Sequence, residues 1–118
     1  MSELLTLLFQ ARNIAHVLHW KSKSFSMHLA LGELYETLIS FADDLAEMYM
    51  GRHGTDFDID ANATSDLDQH DAANFIKQLD DKLEGMKSTF AQEDFLINKF
   101  EELQAVVSQT RYKLENLR

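Results

Sequence analysis

No cysteine occurs anywhere in the chain, so neither a disulfide framework nor a thiolate metal site can form. Proline is also absent and glycine occurs only four times, so little in the sequence would break or kink a helix. No apolar run approaches the ~20 residues that a membrane span needs. The opening "MSELLTLLFQ" carries an acid, Glu3, where a secretion leader has a basic region. A cytoplasmic protein without a targeting segment is therefore expected. Cations are scarce: 11 Lys and Arg face 20 Asp and Glu, for a formal net charge of -9. With no basic tail at either end, the chain lacks what binding to a nucleic-acid polymer requires. What remains is a composition that is 45% hydrophobic and 26% charged, ordinary for a folded domain and too apolar for disorder. Residues 1–118 are read as one domain.

Apolar spacing predicts four helices. The first runs from about Glu3 to Lys21. The second runs from about Met27 to Met50, with Ser26 as N-cap and Gly51 just past its end. The third covers about His70 to Lys87, with Ala72, Ile76, Leu79, Leu83 and Met86 on one face. The fourth starts near Glu93 and carries Leu96, Phe100, Leu103, Val107, Thr110, Leu114 and Leu117 in steps of four and three. Two short connections and one long polar one, "GRHGTDFDIDANATSDLDQ", predict an all-α, ferritin-like four-helix bundle with a long crossover between the second and third helices.

Two helices are apolar on more than one side. In the first, Leu4, Leu7, Ala11, Ile14 and Leu18 form a core stripe. A second stripe further round holds Leu5, Phe9, Arg12, His16 and Trp20. In the second helix, Leu31, Leu34, Tyr35, Leu38, Phe41, Ala42, Leu45 and Tyr49 face the core, while Asp43 and Glu47 sit one turn apart on the other side, flanked by the apolar Ile39, Ala46 and Met50. A helix that is apolar on two faces is buried on two faces. A homo-oligomer, at least a dimer, is expected, with Leu5, Phe9, Arg12, His16 and Trp20 at its interface.

The stretch "HVLHWKSKSFSMH" concentrates three of the five histidines and the only tryptophan at the first chain reversal. "HW" at the end of the first helix, "SFSMH" opening the second and "DDLAE" fifteen residues later resemble the Dps-type mini-ferritins. The run "KSKSFSMHLALGELY" with "DDLAEMYMG" is similar to a group of small phage-encoded proteins of undetermined function with a Dps-like core. If the first resemblance holds, His19, His28, Asp43 and Glu47 match the ligands of a ferroxidase site shared between two subunits, with iron or zinc as the metal. If the second holds, the compartment is the host cytoplasm. The chain departs from the Dps pattern in several ways. Gly32 stands where a second acid is usual, four residues after His28. The first turn is shorter, and no Glu-x-x-His occurs. Metal binding without catalysis is therefore the main expectation, and Fe(II) oxidation is its enzymatic variant.

A second chemistry fits the same stretch. Lys21, Lys23, Ser24 and Ser26 offer cations and hydroxyls, and a helix start adds free N–H groups. Trp20, Phe25 and His16 offer stacking faces. Together they would suit a small phosphorylated nucleotide held between subunits. A third expectation is a purely structural interaction module. Asp56, Asp58 and Asp60 imitate half of a Ca²⁺ loop, but Ala61 and Leu67 stand at the positions that need Gly and Glu, so a solvated loop is expected. There is no serine in a recognisable nucleophile motif.

Overall fold

Four α-helices form where the apolar spacing predicts them: α1 (Ser2–Lys21), α2 (Phe25–His53), α3 (Ala72–Met86) and α4 (Asp94–Asn116). The computed structural model describes residues 1–117. A 3₁₀ turn, Lys87–Phe90, extends α3 toward α4. α1 and α4 each pack against both α2 and α3, whereas α2 and α3 lie diagonally opposite, with no close backbone approach among the described residues. The connection over residues 54–71 explains this order. It starts at the chain-start end of α1 and runs back along that helix, where the Gln10 amide donates to the Ala63 and Thr64 carbonyls at 2.9 and 3.2 Å. It ends with His70 near Lys21. α2 and α3 therefore run in the same direction, and one crossover joins two antiparallel hairpins.

The core follows the predicted stripes, with named differences. Leu96, Phe100, Leu103, Val107, Thr110 and Leu114 are all buried, but Leu117 is 46% exposed because α4 ends at Asn116. Thr110 meets its hydroxyl's need internally, donating to the Val106 carbonyl at 2.9 Å. Phe75 is fully buried although it lay outside the predicted stripe of α3. α2 begins earlier than expected, because Ser24 rather than Ser26 accepts from the Met27 N–H and caps it. It also ends later. Gly51 stays helical, and Gly54, at φ 80° and ψ −177°, leaves the helix in a positive-φ conformation that a side chain would resist.

At the far end of the crossover, the Asp68 carboxylate accepts from the His70 and Asp71 N–H groups and from the Asn74 amide. The Asn74 bond first, then the two backbone bonds, lowers its pKa from 3.8 to about 2. A carboxylate whose folded pKa is depressed stabilises the fold above its unfolded value and loses that contribution as pH falls. Stability should therefore decline between about pH 4 and pH 2, and Asp68→Asn should flatten that part of the profile. Urea unfolding at stepped pH tests this; identical profiles for the two proteins would refute it.

Candidate functional site

The first chain reversal is short because α1 ends at Lys21 and Ser22, in extended conformation, turns the chain into the Ser24 cap. This brings the last turn of α1 beside the first turn of α2, and two histidines clasp across the join. His19 Nδ1 lies 2.6 Å from the His28 carbonyl, and His28 Nδ1 lies 2.8 Å from the His19 carbonyl. A carbonyl oxygen only accepts, so both rings carry their proton on Nδ1 and each Nε2 is left for another partner. The His19 carbonyl is also one of the four that a helix end leaves without an internal partner, so His28 caps α1. The two rings stack with centroids 3.8 Å apart at 19°.

Gly32 makes room for this arrangement. A Cβ at position 32 would sit 2.9 Å from His19 Cε1 and 3.0 Å from Nδ1, closer than carbon atoms tolerate. A glycine inside a helix costs about 0.5–1 kcal/mol relative to alanine, and here that cost admits an imidazole ring.

The aromatic cluster continues along the outer side of α1 and α2. His16 stacks on Tyr35 at 4.0 Å and 18°, and Trp20 lies 4.3 Å from His16. The Arg12 guanidinium sits over the Tyr35 ring at 5.4 Å. Loss of water around His16 lowers its pKa most, and the positive Arg12 and nearby His19 add to this, so it favours the neutral form. Tyr35, expected in the core, instead links core and surface as the hub of this cluster.

Other predicted site residues are placed differently. Asp43 and Glu47 are exposed on the outer side of α2 and have no hydrogen-bond or ion-pair partner among the described residues. They lie 15 and 19 residues beyond His28 on one helix, which at 1.5 Å per residue is about 22 and 28 Å away. No group of three or more His, Asp or Glu residues is close enough to hold a metal ion among the described residues. One chain therefore brings together the two histidines but not the carboxylates. Leu5 is only 1% exposed and belongs to the chain's own core, which corrects its assignment to an outer interface: α1 is covered on a wider arc than an ideal stripe implies. Phe9, at 41%, and Trp20, at 66%, do remain exposed, with Arg12 and His16 half-buried between them.

The residues predicted for a nucleotide separate into two groups. Lys21, Lys23, Ser22 and Ser24 line an open cavity of about 410 Å³, floored by Leu18, Met27 and Leu31 and bordered by His70 and Asp71 at the end of the crossover. His16, Trp20 and Phe25 lie outside it, with Phe25 74% exposed. The Ser26 hydroxyl donates to the Leu117 carbonyl and ties α2 to the end of α4. His70 is the lining residue that sequence spacing could not supply, because the crossover delivers it from 46 positions beyond Ser24.

The profile of a family of unknown function, DUF5856, matches residues 19–114. No curated protein and no solved structure matches the chain.

Proposed function

The chain therefore belongs to that family of unknown function, and we propose that it is a Dps-like, homo-oligomeric helical protein that holds a divalent metal ion, iron or zinc, between subunits. The observation that carries this is the clasped histidine pair. In metal centres, a ligating histidine usually donates its other ring N–H to a carbonyl or carboxylate, which fixes the tautomer and the ring. His19 and His28 each do so to a backbone carbonyl before any ion is considered. One chain offers tautomer-fixed imidazoles, of which the stacked pair can aim only one Nε2 at a given ion, so Asp43 and Glu47 of a neighbour would have to supply the other donors. The ion would supply Lewis-acid character or, if it is iron, redox character. The residues orient and bind, and the proposal includes no turnover. The single crossover between two hairpins supports a ferritin-like arrangement. A cytoplasmic location belongs to the same proposal, in the host if the gene is phage-borne. No helix among the described residues is long and apolar enough to cross a membrane.

Zn²⁺ or Fe²⁺ should raise the melting temperature, because an ion that binds only the folded state stabilises it by mass action. Asp43→Asn with Glu47→Gln should abolish that rise and leave the helical circular dichroism unchanged. A melting temperature that neither ion moves would overturn the proposal.

A specific observation favours a second function, capture of a small phosphorylated nucleotide in the cavity beside Lys21 and Lys23. Both lysines line the cavity, and neither enters an ion pair among the described residues, as is also true of Lys77, whereas Lys82, Lys87, Lys99 and Lys113 do. Calorimetry with nucleotides, using Lys21→Ala and Lys23→Ala as controls, decides between the two. If neither metal nor nucleotide binds, a structural interaction module remains.

A further inference from the structure

We propose that a second copy sits on the outer side of α1 and α2 with its α2 antiparallel to the first, across a two-fold axis that passes beside Glu36. The inference rests on the homo-oligomer proposed above and adds its axis, its register and the charges that set them.

Eight large apolar side chains are exposed among the described residues, and five of them, Phe9, Trp20, Phe25, Leu29 and Ile39, lie on this outer side. It is therefore the least covered part of the bundle, and exposed apolar surface gathered in one place marks an interface. On α2 the outward series Phe25, Leu29, Glu36, Ile39, Asp43 and Glu47 advances in steps of three, four and seven, so it forms one stripe along the helix. The stripe is uneven: apolar where α2 begins and acidic toward its end. None of Glu36, Asp43 and Glu47 has an ion-pair partner among the described residues, whereas Glu33 and Asp44, on the flank of α2 that faces α4, pair with Lys113 and Lys99. Arg12 on α1 also lacks a carboxylate among the described residues. It donates to Asn13 Oδ1 at 3.2 Å and lies over the ring of Tyr35, the chain neighbour of Glu36.

These charges decide the axis. A two-fold axis parallel to the helices would set each Asp43 and Glu47 against its own copy at the ~8–10 Å of packed helices, where like charges repel. An axis perpendicular to α2 at Glu36 runs the two helices antiparallel. At 1.5 Å per residue it parts each Asp43 from its copy by about 21 Å and each Glu47 by about 33 Å, beyond the ~8 Å over which physiological salt screens charge. Phe25 then comes level with the turn between Ala46 and Met50 of the copy, the apolar neighbours of its acids. Glu36 meets its own copy at the axis, and the Arg12 guanidinium of each chain supplies the counter-charge.

The chain has no cysteine, so single cysteines placed on the stripe report the register. Two cysteines bridge only when their Cα atoms lie within about 7 Å. Under mild oxidation Glu36→Cys should give a disulfide-linked dimer on a non-reducing gel, and Asp43→Cys should give at least about tenfold less. Both residues are exposed, so neither substitution disturbs the core. Arg12→Glu should weaken association roughly tenfold, and adding Glu36→Arg should restore it to within about threefold, a rescue that a folding defect would not show. Asp43→Cys linking as fully as Glu36→Cys overturns the antiparallel axis. An oligomer in which neither cysteine links, or in which Glu36→Arg fails to rescue Arg12→Glu, overturns the inference and leaves the assembly standing through another face. A monomer for the unaltered protein at micromolar concentration overturns both.

Discussion

Phe100→Ala should lower the unfolding free energy by about 3–5 kcal/mol and the melting temperature by roughly 10–20 °C. Phe100 lies near the middle of the buried stripe of α4 and is 0% exposed. Its ring packs 5.2 Å from that of Phe90, which the 3₁₀ turn after α3 carries into the core. α4 is in contact with α2, α3 and that turn, so a void at Phe100 opens where the packing of three elements against α4 converges. Close-packed interiors relax only in part around a missing ring, and the lost dispersion contacts add to the lost burial. Urea unfolding followed by circular dichroism measures the change. A loss below about 1 kcal/mol would mean that the surrounding side chains close over the void.

Phe9→Asp should dissociate the proposed oligomer. Phe9 is 41% exposed on a stripe it shares with Arg12, His16 and Trp20, and α2 adds Ile39, 40% exposed, on the same outer side of the bundle. Full burial of a side chain of this size stabilises by about 1.5–3 kcal/mol, so covering the 41% still exposed contributes about 0.6–1.2 kcal/mol. A two-fold interface uses it twice, so losing both copies weakens association by roughly 10–60-fold, before the larger cost of desolvating two carboxylates. The outer side also has complementary signs: Arg12 lies on α1, and Glu36, Asp43 and Glu47 lie on α2, so a two-fold copy would set cation against acid. Sedimentation velocity at micromolar concentration reads the result. A monomer for the unaltered protein would refute the assembly outright, and an oligomer that survives Phe9→Asp would place its interface elsewhere.

The helices were legible because their apolar residues recur at steps of three and four, a pattern that depends only on local geometry. The stripe of α4 was predicted residue by residue up to Leu114. The missed details have local causes. Two serines stand two positions apart before α2, and either could cap it; the choice of Ser24 came from tertiary placement, since Ser26 is occupied by the end of α4. Leu5 was assigned outward because an ideal stripe takes no account of how many neighbours cover a helix. The candidate site was legible as a collection of residue types and illegible as geometry. Nothing in the spacing of His19 and His28 reveals that each ring bonds the other's carbonyl. One signal was available: a glycine four residues after a histidine, inside a helix that has no local use for it. It read as a lost acid, whereas the structure shows a place kept for a ring.

The crossover has a consequence for how the molecule comes together. Each hairpin is built from contacts between residues close in sequence, and such contacts form on the fast side of folding. Joining the hairpins requires closing residues 54–71 into a loop, an entropic cost that grows only with the logarithm of length, about 0.6 kcal/mol per doubling. Its first half, residues 54–62, is mostly exposed, and Phe57 and Ile59 alone turn partly inward. The segment from Asp66 to Asp71, by contrast, is tied down by Lys82, Gln78 and Asn74 on α3. Extra residues added near Gly54 would therefore lengthen a tether, whereas the same residues added near Asp68 would loosen an anchor.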